Sequence, residues 1–123
     1  MLAKIWQPTT NRAKSIGDDT VIGAFCDIGK DVEIGKGCNI QCQCSISNGV
    51  KIGNGVFLGP KVTIYNDKYI NGLCQPPEIG DFCRIGGGTQ ILPGVKIGQN
   101  CFIGAGSLIT KDVPDGSAVI GKW

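Results

Sequence analysis

An aliphatic residue recurs at every sixth position along most of this chain, and few architectures accommodate such a period. The series runs Ile16, Ile22, Ile28, Ile34, Ile40, Ile46, Ile52, Leu58 and Ile64, then after an interruption Ile79, Ile85, Ile91, Ile97, Ile103 and Ile109. Glycine follows the aliphatic residue in ten of these fifteen hexads, and a small or β-branched residue stands four positions after it in all but one, where Lys68 intervenes. A helix would scatter such positions around its circumference, whereas residues i and i+4 of an extended segment face the same side. The spacing therefore predicts one short strand per hexad, directed inward at i and i+4. The glycine falls in the turn, where positive φ or close backbone approach is tolerated. Three hexads make an 18-residue triangular coil, and successive coils stack ~4.8 Å apart as parallel sheets.

Coils fall at 16–33, 34–51, 52–69, 79–96 and 97–114, with the chain leaving the prism once, at 66–78. The expected fold is all-β: a single-stranded parallel β-helix of about five coils, forming one domain over residues 1–123. Residues 1–15 and 115–123 are expected to cap the two ends, where a solenoid otherwise exposes sheet edges, with Leu2, Ile5 and Trp6 on one end and Val119, Ile120 and Trp123 on the other.

The chain contains no histidine, which removes histidine-based triads, histidine general bases and histidine-ligated zinc from its own chemistry. A net charge of +2 is too small to imply nucleic acid. No apolar run is long enough to span a membrane, and the opening residues Met1–Lys14 hold no apolar stretch of signal-peptide length, so a cytoplasmic location is expected. Seven cysteines are an odd number for a disulfide framework. Five of them, Cys26, Cys38, Cys44, Cys83 and Cys101, occupy the inward i+4 position and are expected to pack as compact hydrophobes. Cys42 and Cys74 are the expected exposed thiols, and no metal site is expected.

Function should sit where the repeat is violated, because regular positions are explained by packing. The violations are Gln41-Cys42-Gln43, Ser47-Asn48, the loop 66–78, Leu92-Pro93 and Thr110-Lys111-Asp112. Asn48, Asn66, Pro93 and Lys111 share the i+2 register and should form one outward column, as should Gly87 and Ala105 on a neighbouring face.

Ile85–Gly98 and Ile103–Pro114 resemble the C-terminal coils of hexapeptide-repeat acyl-CoA transferases, whose fold is a left-handed parallel β-helix, an exception to right-handed crossover. Val56-Phe57-Leu58-Gly59-Pro60 followed by Asn66-Asp67-Lys68-Tyr69 is similar to the nucleotide-sugar N-acetyltransferases of surface-polysaccharide biosynthesis. That resemblance, covering roughly residues 16–114, implies acetyl-CoA as co-substrate, a nucleotide-linked amino sugar as acceptor, and a homotrimer. It implies that Asn66 contacts the attacking amine, with Asp67 as the fallback base and Gln41, Lys68 and Tyr69 toward the acceptor. It also implies that the backbones of Gly87 and Ala105 hold the pantetheine arm, and that Thr110 and Lys111 lie near the nucleotide end of the cofactor. Where the family continues its motif with Pro-Arg, this chain has Ile70-Asn71.

The missing histidine agrees with N-acylation. A hydroxyl must be deprotonated to attack a thioester, but an amine whose pKa lies nearer ~8 than a lysine's is partly neutral at pH 7. The competing expectation is a non-catalytic β-helix module whose flat faces serve assembly only.

Overall fold

The computed structural model describes residues 1–67 and 72–123. Each hexad contributes one two-residue strand that ends on its inward aliphatic residue, as in Val21–Ile22 and Asp27–Ile28. The strands build three all-parallel sheets that form the sides of a left-handed triangular prism. The first sheet has seven strands and runs from Lys4–Ile5 through Val21–Ile22, Asn39–Ile40, Phe57–Leu58, Arg84–Ile85 and Phe102–Ile103 to Ala118–Val119. The second has six, from Thr10–Asn11 to Leu108–Ile109, and the third five, from Ser15–Ile16 to Lys96–Ile97. Register is strict: Ile22 pairs with Ile40, Ile40 with Leu58, and Leu58 with Ile85 across the interruption.

The coil path extends past 16–114 at both ends. Lys4–Ile5 and Thr10–Asn11 add two strands before the first expected coil, one each on the first and second sheets, and Ala118–Val119 adds a strand after the last. The expectation that Leu2, Trp6 and Ile120 cap the ends is corrected, because they are 85%, 52% and 81% exposed. Trp6 and Ile120 stand one residue after an inward position, where the side chain points out of the prism. Ile5, Ala13 and Ile16 cover the N-terminal end of the core instead, while Val119 and Trp123 pack against the other end.

The interior is a column of fully buried aliphatics, Ile22, Ile28, Ile40, Ile46, Leu58, Ile64, Ile85, Ile91, Ile103 and Ile109 among them, each contributing about 1.5–3 kcal/mol by leaving water. The inward i+4 position does more than fill space. Its thiols and hydroxyls donate to a corner carbonyl of the next coil: Cys38 to Gly53 at 3.1 Å, Cys83 to Gly98 at 2.9 Å, and Thr20 to Gly35 at 2.7 Å. Cysteine and threonine recur here because they combine a small volume with a proton for a carbonyl that is otherwise removed from water.

Glycine and left-handed backbone turn out to be separate requirements. Positive φ belongs to the i+3 residue and is borne by Gly55 and Gly88 but equally by Phe25, Lys61 and Phe82, near φ 60°. The i+1 glycines are needed for close approach: a Cβ on Gly86 would stand 2.6 Å from Ala105 Cα of the next coil.

Candidate active site

At each prism corner the i+2 residue directs its backbone N–H along the prism axis toward the following coil. At four of these positions an Asn or Asp at the same register of that coil caps the N–H with its side-chain oxygen. Asn48 Oδ1 accepts from Lys30 at 2.8 Å, Asn54 from Lys36 at 3.0 Å, Asp81 from Asn54 at 2.8 Å, and Asp115 from Gln99 at 2.9 Å. The corner between the first and second sheets breaks this pattern. After Gln7, its i+2 residues Ala24, Cys42, Pro60, Gly87 and Ala105 carry no side-chain oxygen. Among the described residues the N–H groups of Ala24, Cys42, Gly87 and Ala105 consequently have no partner, and at the next corner those of Asn48 and Asn66 have none either. Two free donors one coil (~4.8 Å) apart suit the amide carbonyls of an extended chain or the oxygen of a thioester.

The next corner, between the second and third sheets, carries Asn66. Its Nδ2 donates to the Asn48 carbonyl at 3.1 Å and to Cys74 Sγ at 3.4 Å, while Oδ1 accepts nothing among the described residues. The loop is tied back here by an Asp67–Cys74 bridge and by the Gln75 N–H donating to the Asn66 carbonyl at 2.6 Å. Asn66 and the exposed Asp67 border a hollow of about 230 Å³ that also reaches Ser45, Ser47 and, farther toward the N-terminal end, Arg12. Thr110 and Lys111 lie on this same side, two coils below Asn66, bordering a groove of about 640 Å³ with Gln75, Leu92 and Pro93. Thr110 Oγ1 donates to the Trp123 carbonyl at 2.6 Å, and Lys111 Nζ sits 5.0 Å from the centre of the Trp123 ring.

One chain does not bring the expected site residues together. Gly87 and Ala105 occupy one corner, Asn66, Thr110 and Lys111 the next, and the width of the second sheet separates them by on the order of 15 Å. Gln41 lies on the first sheet, its Nε2 donating to Asn39 Oδ1 at 2.6 Å, away from the hollow beside Asn66. Lys68 and Tyr69 lie outside the described residues. Sequence reasoning finds Cys74 only as an exposed thiol of the interrupting loop and does not find Arg12, which lies in the segment 1–15 expected to cap the prism; their places beside Asn66 and above Gly29 come from stacking alone.

The sequence matches the family of bacterial transferase hexapeptide (six repeats) over residues 14–48, 34–66 and 76–111. No curated protein matches it. Among solved structures it is similar to the acetyltransferase domain of PglB from Neisseria gonorrhoeae, with 22% identity, a TM-score of 0.82, and coverage of 97% of this chain and 54% of that one. It is also similar to PerB from Caulobacter crescentus in complex with CoA and GDP-perosamine, with 23% identity, a TM-score of 0.74, and coverage of 98% and 51%. A third is AntD, an N-acyltransferase from Bacillus cereus in complex with dTDP-4-amino-4,6-dideoxyglucose and coenzyme A, with 22% identity, a TM-score of 0.79, and coverage of 99% and 74%. The chain thus spans about half the length of the first two. The repeat, its register and the three-sided prism agree with the sequence match over more than half of the residues: the chain belongs to the bacterial transferase hexapeptide family.

Proposed function

We propose that this chain is an N-acyltransferase that moves the acetyl group of acetyl-CoA to the amine of a nucleotide-linked amino sugar. The observation that carries the reading is the pair of uncapped N–H groups at Gly87 and Ala105, on successive coils of a corner where no i+2 side chain from Ala24 to Ala105 offers an oxygen. These donors fit the amide carbonyls of a pantetheine arm. Asn66 Oδ1 fits the other half of the reaction: it can accept an N–H of the incoming amine and hold the nitrogen lone pair toward the acyl carbon. The bond between acyl carbon and sulfur breaks as the carbon–nitrogen bond forms, and the departing thiolate takes the amine's proton, directly or through Asp67.

Because Gly87 and Asn66 occupy different corners, the reading calls for a site shared by two copies, Gly87 from one and Asn66 from its neighbour. A homotrimer meets this demand at three equivalent sites. It would also cover outward apolar side chains such as Val21, 38% exposed, and Phe102, 51% exposed. Similarity to structures holding CoA and nucleotide-linked amino sugars supports the substrate classes. No helix among the described residues is long and apolar enough to cross a membrane, and a cytoplasmic location, where thiols stay reduced, accords with seven free cysteines.

The deciding experiment measures thiol release from acetyl-CoA against a panel of nucleotide-linked amino sugars, alongside the melting temperature with millimolar acetyl-CoA. Turnover of an amine acceptor together with a raised melting temperature supports the reading. No turnover and no shift would leave the assembly-module alternative.

A further inference from the structure

The three outward faces of the prism differ in kind. Along the third sheet, Glu33, Lys51, Glu78 and Lys96 stand in register with alternating sign, and Glu78 and Lys96 approach to 3.8 Å, so this face largely neutralises itself. The first carries Val21, Phe57 and Phe102. The second carries the short polar series Thr10, Asp27, Ser45, Thr63 and Gln90, and it alone has a polar hollow beside Asn66.

That hollow has a definite origin. Arg12 follows Asn11 onto the outer surface, its N–H donating to the Ile28 carbonyl at 3.0 Å, which sets it directly above Gly29. Gly29 cannot carry a side chain, because a Cβ there would lie 2.5 Å from Asn48 Oδ1 and 2.6 Å from Asn48 N. The surface below Arg12 is therefore bare for one coil, down to Ser47. Among the described residues Arg12 is the one cation bordering the hollow, and it forms no ion pair with any of them. The opposite end is formed by Asn66 and Asp67, three coil steps or about 14 Å along the axis, with Asp27 and Ser45 on the wall between. The polarity thus reverses along its length, from a guanidinium to a carboxylate and an amide oxygen.

We propose that this hollow seats an acceptor bearing an amine at one end and a phosphate at the other, with Arg12 as the residue that binds the phosphate. The proposal rests on the acyl-transfer reading for the role of Asn66 and adds the specificity-determining group. An amino sugar whose amine lies across the ring from a phosphorylated anomeric carbon spans the distance, once the reach of the arginine side chain is counted. The amine then lies against Asn66 Oδ1 and Asp67, ring hydroxyls meet Asp27 and Ser45, and the planar guanidinium takes two phosphate oxygens. A free amino sugar would fill the acidic end and leave Arg12 without a partner.

The test compares two acceptors on the intact protein: a nucleoside-diphosphate-linked 4-amino sugar and the methyl glycoside of the same amino sugar. Arg12→Ala should raise KM for the first about 10- to 100-fold while leaving kcat within about twofold, as expected for loss of a charge-assisted contact made equally in ground and transition states. It should leave KM for the methyl glycoside unchanged, and Arg12→Lys should recover part of the loss. Equal effects on both acceptors, or none on the phosphorylated one, would overturn the assignment. A second measurement needs no turnover: calorimetric titration with UDP should show wild-type binding that weakens at least tenfold in Arg12→Ala. Wild type that binds UDP in an Arg12-dependent way but acylates nothing would count against the acyl-transfer reading while sparing the anion site. Wild type that binds no UDP at millimolar concentration would count against the site itself.

Discussion

Asn48 and Asn66 stand on successive coils at the same register, yet they use their carboxamides in opposite senses. Asn48 turns its oxygen up to cap the Lys30 N–H at 2.8 Å, whereas Asn66 turns its nitrogen up, donating to the Asn48 carbonyl at 3.1 Å. Cys74 Sγ, 3.4 Å from the same nitrogen, supports that orientation. The consequence is an amide oxygen presented outward at Asn66, where its coil neighbour spends its own on the backbone.

Replacing Asn66 by Ala should therefore slow acyl transfer by about 10²–10³-fold, the usual cost of one orienting polar contact in the transition state. The melting temperature should stay close to wild type, because the side chain is not part of the core. Asp67→Asn separates the mechanisms. Were Asp67 the base, that variant would lose at least as much and shift the pH–rate profile; were the leaving thiolate to take the proton, the profile would keep its shape. A folded Asn66→Ala protein as active as wild type would remove Asn66 from the mechanism.

A site shared between copies predicts complementation. Gly87→Pro deletes one of the paired free N–H groups at a register where Pro60 and Pro93 already stand; its Cβ meets the Pro60 carbonyl at 3.0 Å, so the fold should adjust by a few tenths of an ångström and persist while activity falls about 10- to 100-fold. Co-expression of Gly87→Pro with Asn66→Ala should yield mixed trimers in which some sites draw Asn66 from one subunit and the Gly87 N–H from its neighbour. Activity of the mixture well above either variant alone is the expected outcome. A monomeric mass by light scattering at micromolar concentration would contradict both the assembly and the shared site.

The two kinds of glycine should respond differently to a methyl group. Gly106, at φ 71° with open space around it, should lose about 1–2 kcal/mol as Ala through left-handed strain alone. Gly86→Ala drives a Cβ against the backbone of the next coil, 2.6 Å from Ala105 Cα, and should cost about 3 kcal/mol. Urea denaturation at fixed protein concentration checks the order, and a Gly86 variant no less stable than the Gly106 variant would contradict it.

Native protein should show two fast-reacting thiols, Cys42 and Cys74, with the other five slow. Burial raises the Cys38 pKa and pushes Cys83 up to about 11, so neither is a thiolate at pH 8. For Cys83 the folded value lies above the ordinary cysteine value of 9.0. Its contribution to stability is therefore fully present below about pH 9 and is lost as pH rises toward 11, when the unfolded chain releases its proton first. Denaturation midpoints between pH 8 and 11 should fall accordingly, and replacing Cys83 by Ser should flatten part of that slope.

The period, the inward residues and the three-sided coil are legible in the sequence, because side-chain parity in an extended segment is local and needs no knowledge of neighbouring coils. So are the columns of Asn66 and Gly87, since a strict six-residue repeat converts position into register. Tertiary structure decided whatever depends on the coil above or below. Trp6 and Ile120 look like caps in composition but stand at outward registers, so the end coils cover their cores with Ile5, Ala13, Ile16 and Trp123 instead. An N–H is free or capped according to the residue one coil later, eighteen positions on at Lys36 but twenty-seven at Asn54, where the loop has lengthened the path. The contact of Cys74 with Asn66 and the bare surface under Arg12 arise in the same way, from residues that only stacking brings to one level.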